Sequence, residues 1–191
     1  MKTAVKVIKK LKVEKSEMKF PDLGSFKDWS IEGHGDAGFK SLPDKMSSCG
    51  GRVALVRNVK TGAACVVSWR SRKLKRIVLS STAAETLALN DTVSEIVYVK
   101  AVLKEMLGSV AEEIPMEIFT DSKNLWKAVQ TTALNDDPRL RTDLAALKES
   151  LENGEVTKIH RISGKEMMAD CLTKKGASAK KLMDVLQSGK M

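Results

Sequence analysis

The chain has 191 residues, enough for one domain with a substantial core, and 42% of them are hydrophobic, as in typical globular proteins. No apolar run reaches the length of a membrane-spanning helix, and the N-terminus lacks the apolar segment of a signal peptide, so we expect no membrane partner. The net charge of +9 predicts a polyanionic partner, for which charge alone leaves RNA, DNA and an anionic membrane surface open. Aromatic residues make up only 4%, which favours contacts with a duplex backbone over base stacking.

Cysteine and histidine usage argues against several kinds of site. The three cysteines are widely spaced and form no CxxC pair, which argues against a disulfide framework and against zinc. They predict a reducing compartment, for which we expect the cytoplasm, with the nucleus as the alternative. The only two histidines, His34 and His160, weaken a zinc hypothesis further.

Residues 1–27 precede the first predicted strand. Apolar side chains fall on one face of a helix in the first half of this segment, and lysines fill much of the remaining surface. The apolar face consists of Ala4, Val7, Ile8 and Leu11. The lysines are typical of a solvated helix face, and the alternative is a contact with nucleic acid. Pro21 and Gly24 then break the pattern and predict a linker.

From residue 28 onward the pattern predicts a three-stranded meander followed by a long helix. The strands are "DWSIEGHGDAGF", "GGRVALVRN" and "AACVVSWRS", with a loop through Leu42–Ser48 and a hairpin turn that ends in Gly62. The helix runs from about Ser80 to Leu107, and Gly108 closes it.

The second half alternates short strands and helices. A strand ends at Asp121, and Ser122 caps a short helix after it. "DDPRLRTDLAALKESLENG" predicts a helix capped by Asp137, and "EVTKIHRI" predicts the last strand. Two more helices follow, one opened by Ser163 with Asp170 in its middle and one that starts at Ser178. This order predicts a mixed α/β layer fold in which the later strands run parallel to the first.

Several carboxylates occupy positions where apolar residues are expected. Asp121 ends a buried strand, where α/β sheets usually place their chemistry, although a turn or capping role is the alternative. Glu85 continues the apolar stripe of the long helix, although a position near the helix start also favours a carboxylate. Asp36 and Asp170 are likewise carboxylates at positions expected to be buried. Asp36 lies on a predicted central strand, and Asp170 lies on an apolar helix face. No arginine or lysine is assigned to neutralise them, so we expect a Mg²⁺ or Mn²⁺ cluster with oxygen ligands.

Four segments then carry a family resemblance: "GDAGF", "LSSTAAETLAL", "IFTDSKNL" and "MMADCLTKKG", in that order. Over about residues 28–175 the chain resembles the ribonuclease H domain of the polymerase polyprotein of copia-type LTR retrotransposons. The resemblance implies a mixed five-stranded sheet, with strands one to three antiparallel and strands four and five parallel to strand one. It also implies a two-Mg²⁺ endonuclease that hydrolyses the RNA strand of RNA–DNA hybrids. Its four carboxylates would be Asp36, Glu85, Asp121 and Asp170.

The same resemblance implies how the chain is organised. Residues 1–27 fit the end of the reverse transcriptase's connecting region, and residues 28–191 form the nuclease domain with a C-terminal helix. The upstream reverse transcriptase domain would be its partner, and no small-molecule cofactor is expected. Ser81, at the start of the long helix, and Lys123, just after Asp121, are candidate contacts to the hybrid, with N-capping the alternative for the serine.

Two features depart from the family, and two rival functions remain open. His34 lies between glycines, which weakens the prediction of the first strand and of the position of Asp36. No histidine precedes Asp170 in its loop, and His160 falls inside a strand. One rival is a catalytically retired element kept as a nucleic-acid-binding or interaction module. The other is a different two-metal nuclease of the same superfold, such as an integrase or resolvase.

Overall fold

A mixed five-stranded sheet forms the centre of the molecule, which a computed structural model describes for residues 17–131 and 137–191. Its strands are β1 (Trp29–Gly38), β2 (Cys49–Asn58), β3 (Ala64–Lys73), β4 (Met116–Thr120) and β5 (Lys158–Arg161). They are ordered β3-β2-β1-β4-β5, with β1 to β3 antiparallel and with β4 and β5 parallel to β1. The predicted mixed five-stranded sheet and the predicted directions of its strands are therefore confirmed.

The described helices are α1 (Ser81–Leu107), α2 (Lys123–Gln130), α3 (Pro138–Glu152), α4 (Asp170–Thr173) and α5 (Lys180–Ser188). Short 3₁₀ segments cover Phe26–Asp28 and Gly108–Glu113. Two predicted caps are confirmed, because Ser122 accepts from the amide of Leu125 and Asp137 accepts from that of Arg139. The cap of α1 is Ser80, which accepts from the amide of Ala83, and Ser81 is the first helical residue. None of the described helices combines the length and apolarity needed to cross a bilayer.

One predicted helix is wrong. Residues 164–166 and 168–169 form turns, α4 has only four residues, and Asp170 is its first residue rather than its middle. Glu166 donates its amide to the carbonyl of Ser163, but its side chain pairs with Lys181 at 3.0 Å instead of completing a capping box. Met167 and Met168 are buried against the sheet, so tertiary packing outweighs the local helix signal here. The terminal helix begins at Lys180, two residues after the predicted start.

The helices lie on both faces of the sheet. On one face α1, α2 and α3 enclose the larger apolar core, which includes Ile31, Leu89, Ile96, Ile118, Leu125 and Leu147. On the other face α4 and α5 cover a smaller core that includes Val53, Leu55, Met168, Leu182 and Val185. Because alternate residues of a strand point to opposite faces, β1 carries Ile31 on the first face and Asp36 on the second.

The polypeptide before β1 lies against the sheet. Lys19 donates its amide to the carbonyl of Leu186 at 2.8 Å. The side chain of Leu23 is buried, and its carbonyl accepts from Asn58 at 2.8 Å and from the Trp29 indole at 3.0 Å. The amphipathic helix predicted for the start of the chain lies outside the described residues.

Candidate metal centre

Three of the four predicted carboxylates meet at one edge of the sheet. Asp36 lies near the end of β1, and Asp121 directly follows β4, the parallel neighbour of β1. Carboxyl ends of adjacent parallel strands lie side by side, which brings these two residues together. Glu85 reaches the same point from the first turns of α1. One carboxylate oxygen from each of the three lies within 4.8 Å of the others.

Asp36 is the most enclosed member of the group, with no solvent exposure. Its Oδ2 accepts a short hydrogen bond from the Thr173 hydroxyl. Its Oδ1 is buried without a hydrogen-bond partner, and the Lys174 ammonium lies 3.6 Å away. Burial raises the pKa of Asp36, and the charges of Asp121 and Asp170 raise it further, although Thr173 and Lys174 partly offset the rise. An unpartnered buried oxygen in this position is a free ligand atom.

Glu85 shares the burial and the repulsion. Its Oε2 accepts from the backbone amide of Ala37 at 3.1 Å, which ties α1 to the end of β1. Burial, followed by the charges of Asp36 and Asp121, raises the pKa of Glu85 to about 9. At neutral pH the metal-free centre therefore keeps a proton on Glu85, because the positive charge around the centre does not suffice for three ionised carboxylates.

Asp170, the fourth predicted carboxylate, lies beside the group of three rather than within it. The Lys174 ammonium contacts its Oδ1 across one turn, at the i,i+4 spacing that favours such pairs. The expectation that no lysine or arginine neutralises the four carboxylates is therefore wrong. Sequence reasoning missed Lys174 and Thr173, although both stand in the quoted "ADCLTK" segment at helical spacing from Asp170.

A glycine on the neighbouring strand lets α4 approach this closely. A Cβ atom added at Gly51 would lie 2.7 Å from Cγ2 of Thr173 and 3.0 Å from the carbonyl oxygen of Ala169. Gly51 pairs with Asp36 across the β1–β2 ladder. The absence of a side chain at residue 51 thus allows Thr173 and Lys174 to reach Asp36.

The remaining candidate residues do not belong to the group of three carboxylates. Ser81 is the exposed first residue of α1, one turn before Glu85, and Lys123 is the exposed first residue of α2, two residues after Asp121. His160 stacks on Phe119, with ring centroids 4.7 Å apart, and its Nε2 lies 3.3 Å from the Glu117 carboxylate.

The donor set fits a hard divalent cation. Carboxylate oxygens are the ligands that Mg²⁺ and Mn²⁺ prefer, and the described part of the chain brings no cysteine or histidine into the group. The buried, unpartnered Oδ1 of Asp36 and the raised pKa values of Asp36 and Glu85 indicate a site with too little positive charge. A bound cation would relieve both.

Comparisons with known proteins identify the fold. No protein-family model matches the sequence, and no curated protein matches it. Among solved structures, the ribonuclease H1 of Halobacterium salinarum is similar with a TM-score of 0.51 and 16% identity, over 81% of this chain and 98% of that one. The N-terminal RNase H domain of a Mycobacterium tuberculosis protein has a TM-score of 0.51 and 15% identity, over 83% and 96%.

A third similar structure is that of LC11-RNase H1, a protein isolated from compost, in complex with an RNA/DNA hybrid. It has a TM-score of 0.50 and 14% identity, over 75% of this chain and 94% of that one. The protein therefore has the ribonuclease H-like fold. At these identities the likeness extends to the fold alone.

Proposed function

We propose that this chain is a divalent-metal-dependent endonuclease that hydrolyses the RNA strand of RNA–DNA hybrids. The observation that carries the proposal is the convergence of Asp36, Glu85 and Asp121 within 4.8 Å at the carboxyl ends of β1 and β4. The net charge of +9 supports a nucleic-acid substrate. The similarity to a ribonuclease H1 whose structure contains an RNA/DNA hybrid supports the choice of hybrid.

The chain's own residues would perform three tasks. Asp36, Glu85 and Asp121 would hold the cations, with Asp170 beside them. Two divalent ions bound there would supply an activated water and positive charge for the leaving oxygen. Ser81 and Lys123 would hold phosphates on either side, at the first residues of α1 and α2. Contacts with 2′-hydroxyl groups in the shallow minor groove would select RNA.

We further propose the biological setting from the sequence resemblance. The chain would be the ribonuclease H domain of a copia-type LTR retrotransposon polymerase and act during reverse transcription. Residues 1–27 would come from the connecting region and residues 28–191 would form the nuclease domain. The segments "SSTAAE" and "ADCLTK" support this choice over an integrase or resolvase.

The test is Asp121→Asn, which removes a charged ligand while keeping nearly the same shape. We expect single-turnover cleavage of a labelled RNA strand with Mg²⁺ to fall about a hundredfold or more, the scale of one preorganised electrostatic group. Hybrid affinity should hold or rise, because one negative charge has left a surface that faces phosphate. The matched control is Glu149→Gln, which removes one negative charge at an exposed residue of α3. This variant should cleave like the parent protein.

Substrate arms complete the experiment. The parent protein should cut the RNA of a hybrid and leave duplex DNA and duplex RNA intact. If it cuts none of the three, or if Asp121→Asn cuts as fast as the parent, the nuclease proposal is wrong. A protein that binds hybrids without cutting them would instead be a retired nucleic-acid-binding module.

A further inference from the structure

The ammonium of Lys174 lies between two of the proposed ligands. Its Nζ contacts Oδ1 of Asp170 and lies 3.6 Å from Oδ1 of Asp36. The lysine side chain is 47% exposed, whereas that of Asp36 is fully buried. Lys174 thus extends from the surface inward and ends at the oxygen that has no hydrogen-bond partner.

We propose that Lys174 is the resident counter-ion of the metal-free centre and that an incoming divalent ion must displace it. Lys174 would then lower the affinity of the centre for metal and stabilise the protein when no metal is bound. This inference rests on the proposed function only in requiring that the carboxylates bind a divalent ion.

The competition follows from charge and geometry. Oδ1 of Asp36 is the available ligand atom, so a cation bound to it would lie within a few ångströms of the ammonium, where like charges repel strongly. The flexible, half-exposed stem lets the ammonium move into solvent at little cost. Thr173 is different, because its hydroxyl binds the other oxygen of Asp36 and can stay in place.

The surrounding charges support the role of a counter-ion. Partial burial lowers the pKa of the Lys174 ammonium, but contact with Asp170 and the charges of Asp36 and Asp121 outweigh it, so the pKa lies above its usual range. The same ammonium lowers the pKa of Asp36 and of Glu85. One cation therefore interacts with all the carboxylates that the metal would bind.

Two matched variants test the proposal by calorimetric titration with Mg²⁺. Lys174→Met removes the charge and keeps most of the length of the side chain, and Lys175→Met makes the same change of net charge at the exposed next residue. We expect Lys174→Met to bind Mg²⁺ about fivefold more tightly than the parent, the upper end of the scale for a partly exposed ion pair. Lys175→Met should bind like the parent.

Thermal melting of the same variants gives a second prediction with the opposite sign. In the presence of a chelator Lys174→Met should melt below the parent, because Asp36 and Asp170 lose their counter-ion. Saturating Mg²⁺ should raise its melting temperature by more than it raises that of the parent.

Labelling of the parent protein provides a measurement that does not depend on any variant. An acylating reagent followed by mass spectrometry reports how accessible each lysine amine is. We expect Mg²⁺ to increase the labelling of Lys174 and to leave that of Lys175 unchanged. If Lys174→Met does not fold, this measurement decides alone.

Each contrary result has a distinct meaning. Equal or weaker Mg²⁺ binding by Lys174→Met would show that the lysine does not compete with the ion, and equal gains in both variants would show general electrostatics; either overturns the inference. Unchanged labelling of Lys174 with Mg²⁺ bound would also overturn it. If the parent binds no divalent ion, the proposed function is wrong as well. If the parent binds Mg²⁺ but Lys174 does not compete with it, only this inference is wrong.

Discussion

Substitution of Gly33 by alanine should loosen the contact between β1 and α1. A Cβ atom there would lie 2.7 Å from Cγ2 of Thr92 and 2.9 Å from Cγ2 of Ile96, and both of those side chains are fully buried. Such overpacking typically costs about 1–3 kcal/mol, whereas replacing a strand glycine returns roughly 0.5–1 kcal/mol. We therefore expect Gly33→Ala to lower the free energy of unfolding by about 1–2 kcal/mol and the melting temperature by roughly 2–8 °C.

A double-mutant cycle with Thr92→Ser tests the cause. Removal of Cγ2 from Thr92 should cost about 1 kcal/mol alone, because one buried methyl group is lost. In the double variant the same removal makes room for the new methyl group at residue 33. The double variant should therefore lose less stability than the sum of the two single losses, by at least about 0.5 kcal/mol. Urea unfolding of the four proteins gives the coupling. Strict additivity, or a Gly33→Ala protein as stable as the parent, would refute the argument.

This contact also bears on the candidate metal centre. The same strand and helix carry Asp36 and Glu85, so the distance between their carboxylates depends on how closely α1 packs on β1. Gly33→Ala should therefore weaken Mg²⁺ binding, and Thr92→Ser should restore part of the loss.

The glycines of β1 explain why local sequence patterns describe this strand poorly. Glycine has a low strand propensity, so the Gly-His-Gly stretch weakens the prediction for the residues before Asp36. Yet β1 runs without interruption from Trp29 to Gly38. The requirement for glycine comes from a helix distant in the sequence, as the distances at Gly33 show. A contact of this kind has no local periodicity that could reveal it.

Elements whose stability is local were predicted well. Helix α3 has its cap, its first-turn proline and its leucine stripe within one stretch, and the structure has Asp137 as N-cap and Leu140, Leu144 and Leu147 buried. The short α4 is the opposite case, because its start depends on the burial of Met167 and Met168. The same contrast applies to the centre: misplaced carboxylates were visible in the sequence, whereas the approach of Lys174 depends on how α4 packs on β2.

Two further predictions concern protons. Burial, followed by the charges of Lys181 and Arg57, lowers the pKa of His34 to about 3 from an ordinary 6.5, so the unfolded chain binds the proton more tightly. This contribution is complete above pH 6.5 and is lost toward pH 3 at about 1.4 kcal/mol per pH unit. The free energy of unfolding of His34→Gln should then fall less steeply than that of the parent between pH 6.5 and 4.5, and parallel curves would contradict this account. The pKa of Glu85 is shifted upward instead, to about 9, so the metal-free protein holds a proton on Glu85 at neutral pH. Glu85 must release this proton to bind a metal ion as an ionised ligand. Mg²⁺ affinity should therefore fall about tenfold for each pH unit from 8 to 6, and calorimetry in two buffers of different ionisation enthalpy should count close to one proton released. Glu85→Gln should bind Mg²⁺ weakly and without that release. A pH-independent affinity in the parent would show that Glu85 is either already ionised or not a ligand.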